Sequence, residues 1–218
     1  EINEASKKIV AVQNIQNGYV RPFAWRGSEQ MGVSAQKTKT NVAIATWEWP
    51  AYFDPKLKAE GIKLNISKWR RPAPNTIPWD AKAAGLYMIC TLSKHEAEQQ
   101  GFSESLMLDF EGNVAEGTSA NIFFKDKNND LHTPIADSFL NGITRQAVIE
   151  LAKSKSLKVY ERKISPEELN KFEGSFLTGT AAEITPVASI ADHKYRVCDV
   201  ILGLSKSFDE LVRQKKAA

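Results

Sequence analysis

Cysteine is scarce in this chain, and long apolar runs are missing. The 218 residues contain only two cysteines, Cys90 and Cys198, which lie far apart in the sequence. Such a pair forms neither a CxxC metal motif nor a disulfide framework, so a reducing, cytoplasmic compartment is expected. No apolar run approaches the roughly 20 residues that a membrane-spanning helix needs. We therefore expect no membrane partner.

An excess of charge of either sign is also missing. Lysine and arginine number 29 against 26 aspartates and glutamates, and the net charge of +3 is spread along the chain. The densest basic cluster, formed by Lys68, Arg70 and Arg71 around Trp69, is interpreted as a solvated strand end. One tryptophan among three cations is too little for a nucleic-acid platform, so no nucleic-acid partner is expected.

Several familiar catalytic motifs are absent. The sequence contains no GxxxxGK[ST] and no GxGxxG, which argues against the common nucleotide-binding loops. It contains no GxSxG for a serine nucleophile. The three histidines do not have the spacing of metal ligands, so no metal site is expected.

The chain divides into two parts at a segment that fits no regular period. Residues 19–25 and 42–47 are rich in aromatic and β-branched residues and predict two strands. Residues 47–55 then hold two prolines and four aromatics, which is typical of a linker. We predict a first domain over residues 1–46, a linker over 47–55 and a second domain over 56–218.

Strand and helix patterns are mixed in the second part. Alternation predicts a strand over 62–69, and short strands are predicted at 105–109, 114–116, 121–125, 157–164 and 176–186. Apolar stripes predict three helices, marked by Leu86, Ile89, Cys90, Ser93 and Ala97, by Ile143, Ala147, Val148, Leu151 and Ala152, and by Val200, Ile201, Leu204, Phe208, Leu211 and Val212. Because strands and helices do not alternate regularly, an α+β or barrel-like domain is favoured.

Two segments are suited to hold a phosphate. Asn141 and Gly142 stand where a helix begins, so the free amides of Ile143 and Thr144 and the positive end of the helix dipole meet at one place. Residues 178–183 place small residues and two hydroxyls directly after a strand. Each segment alone is an ordinary cap or turn, but together they suggest one phosphate held from two sides.

Lys82 is the candidate nucleophile. It lies among small residues after a proline-rich loop, and a desolvated lysine loses affinity for its proton and can form a Schiff base. The residues alone leave a surface lysine on a first helical turn as the alternative. A phosphate site together with a nucleophilic lysine points to pyridoxal 5′-phosphate.

Five blocks in order resemble the signature of the fold-type IV pyridoxal-phosphate enzymes, closest to branched-chain amino acid aminotransferases. They are NTIP at 75–78, AKAAGLY at 81–87, EGTSANIF at 116–123, GITR at 142–145 and GTAAEITPV at 179–187. YVRP at 19–22 and WPAY at 49–52 resemble the substrate-side segments of the same enzymes. The resemblance implies a two-domain α+β fold like that of D-amino acid aminotransferase, with a partial small α/β domain and a complete large domain containing a pseudo-barrel of strands and helices.

The resemblance also implies roles for residues around the cofactor. Lys82 is the expected Schiff-base lysine and proton shuttle, Glu116 the partner of the pyridine nitrogen, and Tyr87 the partner of the phenolic oxygen. Ile143, Thr144, Gly179 and Thr180 are expected to hold the phosphate.

Substrate contacts are implied in the same way. The amides of Thr180 and Ala181 are expected to meet the α-carboxylate. Tyr19 and Arg21 are expected to reach the substrate carboxylates, with Arg21 chiefly binding the side-chain carboxylate of glutamate. Trp49 and Tyr52 are expected to wall the apolar side-chain pocket.

The implied reaction transfers the amino group of leucine, isoleucine or valine to 2-oxoglutarate, in a homodimer or higher homo-oligomer. The family usually has asparagine where this chain has Leu86, and no residue matches the family's phosphate-binding arginine, which lies in an earlier part of the small domain. A fragment of that domain is therefore expected. The alternatives are a D-amino acid transaminase, an aminodeoxychorismate lyase and an inactive cofactor-binding fragment.

Overall fold

The computed structural model describes residues 1–49 and 52–213 and divides into two compact units, Glu1–Tyr52 and Phe53–Ala218. In the first unit, helix α1 (Ile2–Val12) precedes an antiparallel hairpin of β1 (Gly18–Arg26) and β2 (Thr40–Glu48). The two strands predicted there are confirmed. Helix α1 is absent from the sequence-based predictions, although Ile2, Ala5 and Ile9 have helical spacing.

Burial differs sharply between the two units. None of the residues described in the first unit, 1–49 and 52, is buried. The buried apolar side chains gather in the second unit, in two clusters. The hydrophobic stabilisation therefore comes mainly from the second unit, because it scales with the apolar area that is removed from water.

The second unit contains nine strands and four α-helices among its described residues. In chain order they are α2 (Pro55–Glu60), β3 (Ile62–Arg70), α3 (Met88–Gln99), β4 (Glu104–Leu108), β5 (Val114–Gly117), β6 (Asn121–Lys125), β7 (Leu131–Thr133), α4 (Ile143–Ser154), β8 (Val159–Glu161), β9 (Gly174–Gly179), β10 (Glu183–Ile190), β11 (His193–Lys194) and α5 (Asp199–Val212). Two 3₁₀ helices, Ala84–Tyr87 and Pro166–Lys171, complete the list.

The nine strands form one mixed sheet in the order β5-β4-β3-β10-β9-β6-β7-β8, with β11 paired to β10. Strand β3 runs parallel to both β4 and β10, while β9 lies antiparallel between β10 and β6. One apolar cluster joins this sheet to α4 and α5 through residues such as Phe123, Phe176, Val148 and Phe208. This packing fixes where β5, β9 and the start of α4 lie, and those elements carry the candidate site.

Three local predictions differ from the structure. The strand expected over 157–164 contracts to β8, which pairs with β7 over three residues. Ile143 is 85% exposed and not part of the buried stripe of α4, because it is the first helical residue and lies at a cavity. Arg71 is only 4% exposed, so it does not belong to the solvated basic cluster, because its guanidinium turns inward to a carboxylate and a backbone carbonyl.

The linker predicted over 47–55 is described only in part, because its residues 50 and 51 lie outside the described residues. Within the described ranges, 1–49 and 52–213, no helix combines the length and the apolar character that crossing a membrane requires.

Candidate active site

A cavity in the second unit is lined by residues from five separate stretches of the chain. They are the loop after β3, the 3₁₀ helix before α3, the turn between β5 and β6, the start of α4 and the end of β9. All seven residues expected around the cofactor line it: Lys82, Tyr87, Glu116, Ile143, Thr144, Gly179 and Thr180. Folding therefore brings together residues that are distant along the chain.

Lys82 and Tyr87 form a hydrogen-bonded pair at this cavity. The Lys82 Nζ donates to the Tyr87 hydroxyl over 2.8 Å, across the short 3₁₀ helix that carries Tyr87. The Lys82 side chain is exposed, so the desolvated environment expected from its small neighbours is wrong: those neighbours are exposed as well and do not cover it. The amine is thus accessible and oriented by the tyrosine.

Glu116 is a buried carboxyl group in the lining of the same cavity. It lies on β5, where it pairs with Met107, and only 9% of its surface is exposed. The Arg71 Nε lies 3.4 Å from its Oε1, and the Asn121 Nδ2 donates to its Oε2 over 3.3 Å. Burial raises the pKa of Glu116 to about 8, while the positive charges of Arg71 and Lys82 oppose the rise.

The start of α4 forms an anion site. Its N-cap is Gly142, which has no side chain to cap the helix, so the first amides point at the cavity without an intrahelical partner. The end of β9 supplies Gly179 and the exposed Thr180 to the same cavity. A helix N-terminus with a second loop beside it favours a bound phosphate, as the sequence predicts.

Sequence reasoning misses the side chains that hold these groups in place. Arg71 donates to the Ser138 carbonyl and to the Cys90 Sγ in addition to facing Glu116. Asn121 bonds to Glu116, to the Leu140 carbonyl and to the Gly142 N–H. No pattern in the sequence identifies these contacts, because each joins segments that are separated along the chain.

Two further buried charges support the walls of the cavity. Arg145, 1% exposed, donates to the Asn141 Oδ1 over 2.8 Å and to Glu161 on β8, which anchors the first turn of α4. Glu104 is fully buried and accepts hydrogen bonds from the amide and hydroxyl of Thr118, in the turn that follows Glu116. Both side chains limit the movement of residues that line the cavity.

The residues expected on the substrate side lie mainly in the first unit. Tyr19 and Arg21 lie on β1, and the rings of Tyr19 and Trp49 are 5.0 Å apart. Trp49 also contacts Tyr52, at 5.6 Å between ring centroids, and the Arg21 guanidinium lies 5.2 Å from the Tyr19 ring. These four residues form one aromatic cluster with a single cation. Ala181 lies apart from them in the sequence, in the turn between β9 and β10 of the second unit.

Among the described residues, 1–49 and 52–213, no group of three or more histidine, cysteine, aspartate or glutamate side chains is arranged to hold a metal ion. The candidate chemistry of the cavity is therefore built from an amine, a buried carboxyl group and an anion site.

Comparison with known proteins gives a consistent result. The family described as amino-transferase class IV matches residues 1–190. A probable branched-chain-amino-acid aminotransferase of Rickettsia bellii is 40% identical over 222 residues, covering 98% of this chain and 73% of the relative. The branched-chain-amino-acid aminotransferase of Pseudomonas aeruginosa is 38% identical over 221 residues, covering 100% and 72%.

A solved structure is similar over nearly the whole chain. A crystal structure of a branched-chain amino acid aminotransferase from the source abbreviated T.th., with pyridoxamine 5′-phosphate, superposes with a TM-score of 0.91 at 35% identity. The match covers 97% of this chain and 70% of that one. The chain thus spans about seven tenths of the proteins to which it is similar.

Proposed function

As a member of the class IV aminotransferase family, this chain is a pyridoxal-phosphate-dependent aminotransferase, and we propose that it transfers the α-amino group of leucine, isoleucine or valine to 2-oxoglutarate. The family and the fold-type IV architecture expected from the sequence blocks are confirmed. The names of the relatives support the branched-chain substrates over the D-amino acid transaminase and aminodeoxychorismate lyase alternatives. The domain division at residues 47–55 stays a prediction.

The residues of the cavity fit pyridoxal 5′-phosphate. The cofactor needs an amine for its aldehyde, an acidic partner for its ring nitrogen, a donor for its phenolic oxygen and a site for its phosphate. Lys82, Glu116, Tyr87 and the uncapped start of α4 supply these four groups in one cavity. This convergence is the observation that carries the proposal.

The roles of the chain's own residues follow from their surroundings. We assign the phosphate to the amides at the start of α4, the Thr144 hydroxyl, and Gly179 and Thr180. Glu116 holds a proton on its carboxyl group near neutral pH because its pKa is raised to about 8, so it can share that proton with a ring nitrogen. When bound, the cofactor supplies an electron-accepting ring and an aldehyde that takes up the amino group.

Lys82 carries the proton transfer in this proposal. Its Nζ is accessible and is held by the Tyr87 hydroxyl at 2.8 Å, so it can take a proton from the substrate's α-carbon and return it elsewhere. Arginine could not replace it, because a guanidinium does not lose its proton near neutral pH. The Tyr87 hydroxyl orients the amine before the reaction.

The substrate contacts are proposed on the resemblance of the matching segments. Tyr19 and Arg21 bind carboxylates, with Arg21 selecting the side-chain carboxylate of glutamate, and Trp49 and Tyr52 form the apolar pocket. The amides of Thr180 and Ala181 bind the α-carboxylate. The clustering of the first four residues in one unit supports this assignment.

We also propose a homodimer or higher homo-oligomer as the working form, by resemblance to the same family. A cytoplasmic location is supported by the two cysteines, which are both free thiols.

Replacement of Lys82 tests the proposed reaction. Lys82→Ala should abolish transfer from leucine to 2-oxoglutarate while the fold persists, because the side chain is exposed and buries little apolar surface. Borohydride reduction of the protein with pyridoxal phosphate should attach the cofactor to Lys82, as peptide mass spectrometry would detect. Lys153→Ala, which removes an exposed lysine on α4, is the matched control and should keep full activity.

Two outcomes would contradict the proposal. Substantial turnover by Lys82→Ala would remove the lysine from its role. Turnover with D-alanine or aminodeoxychorismate but not with leucine would favour one of the alternative activities of the same fold, and attachment of cofactor without any turnover would favour an inactive cofactor-binding fragment.

A further inference from the structure

Asn121 links two parts of the cavity lining. It is the first residue of β6 and is buried, with 5% of its surface exposed. Its Nδ2 donates to the Glu116 Oε2 over 3.3 Å and to the Leu140 carbonyl over 3.0 Å. Its Oδ1 accepts the Gly142 N–H over 3.2 Å. Both amide protons and the carbonyl oxygen of this side chain are thus engaged.

The contact with Gly142 depends on the absence of a side chain there. A Cβ at Gly142 would collide with the Asn121 Oδ1, so only glycine allows the amide oxygen to reach the N-cap backbone. The N–H of the N-cap is thereby satisfied by Asn121. The amides of the following two helical residues remain directed at the cavity.

We propose that Asn121 is a positioning residue that fixes the Glu116 carboxyl group relative to the start of α4, so that one ligand is held at a ring nitrogen and at a phosphate simultaneously. This inference rests on the proposed function, because that function supplies a ligand with these two ends. Asn121 acts through Glu116 and Gly142, each of which it bonds directly.

The structure gives a reason for the size of the expected effect. A hydrogen bond to a charged group contributes an amount that corresponds to about a 10- to 100-fold change in an equilibrium constant. Because Asn121 also orients the start of α4, its loss should weaken the binding of phosphate alone, by about threefold to tenfold. The two effects have different partners and can be separated.

The experiment measures the affinities of four apoproteins for two probes. They are the unaltered protein, Asn121→Ala, Glu116→Gln and the double variant, and the probes are pyridoxal 5′-phosphate and inorganic phosphate. We expect Asn121→Ala to weaken pyridoxal phosphate about 10- to 100-fold in the unaltered background. In the Glu116→Gln background its effect should be at least about threefold smaller, because residues that act together show non-additive effects.

A matched control separates positioning from folding. Asn65 is a buried asparagine on β3 whose Nδ2 bonds to Gln100 over 2.9 Å, and it does not line the cavity. Asn65→Ala should lower the free energy of unfolding and leave both affinities unchanged. If Asn121→Ala does not fold, Asn121→Asp keeps the shape and the acceptor for Gly142 but loses the donor to Glu116, and it should also weaken pyridoxal phosphate.

The outcomes distinguish this inference from the proposed function. An unaltered protein that does not bind pyridoxal phosphate would overturn the proposed function, while the phosphate titration would still judge Asn121. Unchanged phosphate affinity in Asn121→Ala, or additive effects of Asn121→Ala and Glu116→Gln on cofactor affinity, would overturn the positioning role.

Discussion

The ion pair between Arg71 and Glu116 predicts a specific pH dependence of stability. Arg71→Met removes the guanidinium 3.4 Å from the Glu116 Oε1, together with the bonds to the Ser138 carbonyl and the Cys90 Sγ. The lost hydrogen bonds give a loss of about 1–3 kcal/mol at neutral pH. No larger loss is expected there, because Glu116, with a pKa of about 8, is mostly protonated at pH 7 and need not carry an unpaired buried charge.

The sign of the pH effect follows from proton linkage. The pKa of Glu116 is raised from 4.5 in the unfolded chain to about 8 in the folded protein, so stability falls as pH rises between these values and levels off above 8. Without Arg71 the folded pKa is higher still, and the fall continues. The stability difference between the two proteins should therefore be flat below pH 7 and grow above pH 8, reaching about 1.4 kcal/mol of additional loss at pH 9.

Urea unfolding followed by circular dichroism at pH 6, 7, 8 and 9 measures this difference. Arg162→Met is the matched control, because Arg162 pairs with Glu168 and lowers the pKa of that carboxyl group. The stabilisation from such a depressed pKa is complete above the ordinary pKa of glutamate, so its loss should not vary between pH 6 and 9. A loss in Arg71→Met that is equally flat from pH 6 to 9 would refute the coupling between Arg71 and Glu116.

Two further predictions concern the same cavity. Glu116→Gln should still bind the cofactor but lose about 100-fold or more in turnover, because a neutral amide cannot hold the ring nitrogen protonated; a steady-state assay and a cofactor titration check this, and unchanged turnover with collapsed affinity would make Glu116 purely structural. Cys90 should react with iodoacetamide about 100-fold more slowly than an ordinary thiol at pH 8, because burial and the charge of Glu116 raise its pKa from 9.0 to about 11. Peptide mapping would follow it against the half-buried Cys198, and equal rates at the two thiols would contradict the expectation.

Much of the local structure could be predicted from the sequence because its signals are short-range. The alternation over 62–69 predicts β3, and the Asn141-Gly142 pair predicts the start of α4, which begins at Ile143. The same reasoning fails over 157–164, where most of an apolar-looking segment lies outside the sheet. Propensity is a weak guide there, because only pairing with β7 decides which residues form a strand.

The candidate site was predictable only in part. The blocks around Lys82, Glu116 and Thr144 identify the groups that touch a cofactor, and the structure brings all three to one cavity. The groups that hold them are not identified. Arg71 follows two exposed residues of a basic strand end and looks solvated in the sequence, yet it is buried against Glu116.

The sequence by itself determined the reacting groups and the anion-binding start of α4, because an amine, a carboxyl group and a free helix N-terminus are properties of single residues and of neighbours along the chain. Only the tertiary structure decided the burial of Glu116, its raised pKa, and its link through Asn121 to Gly142. Desolvation and side-chain hydrogen bonds depend on which distant segments pack together, and here that is decided by the places of β5 and β6 within the mixed sheet and by the packing of α4 against it.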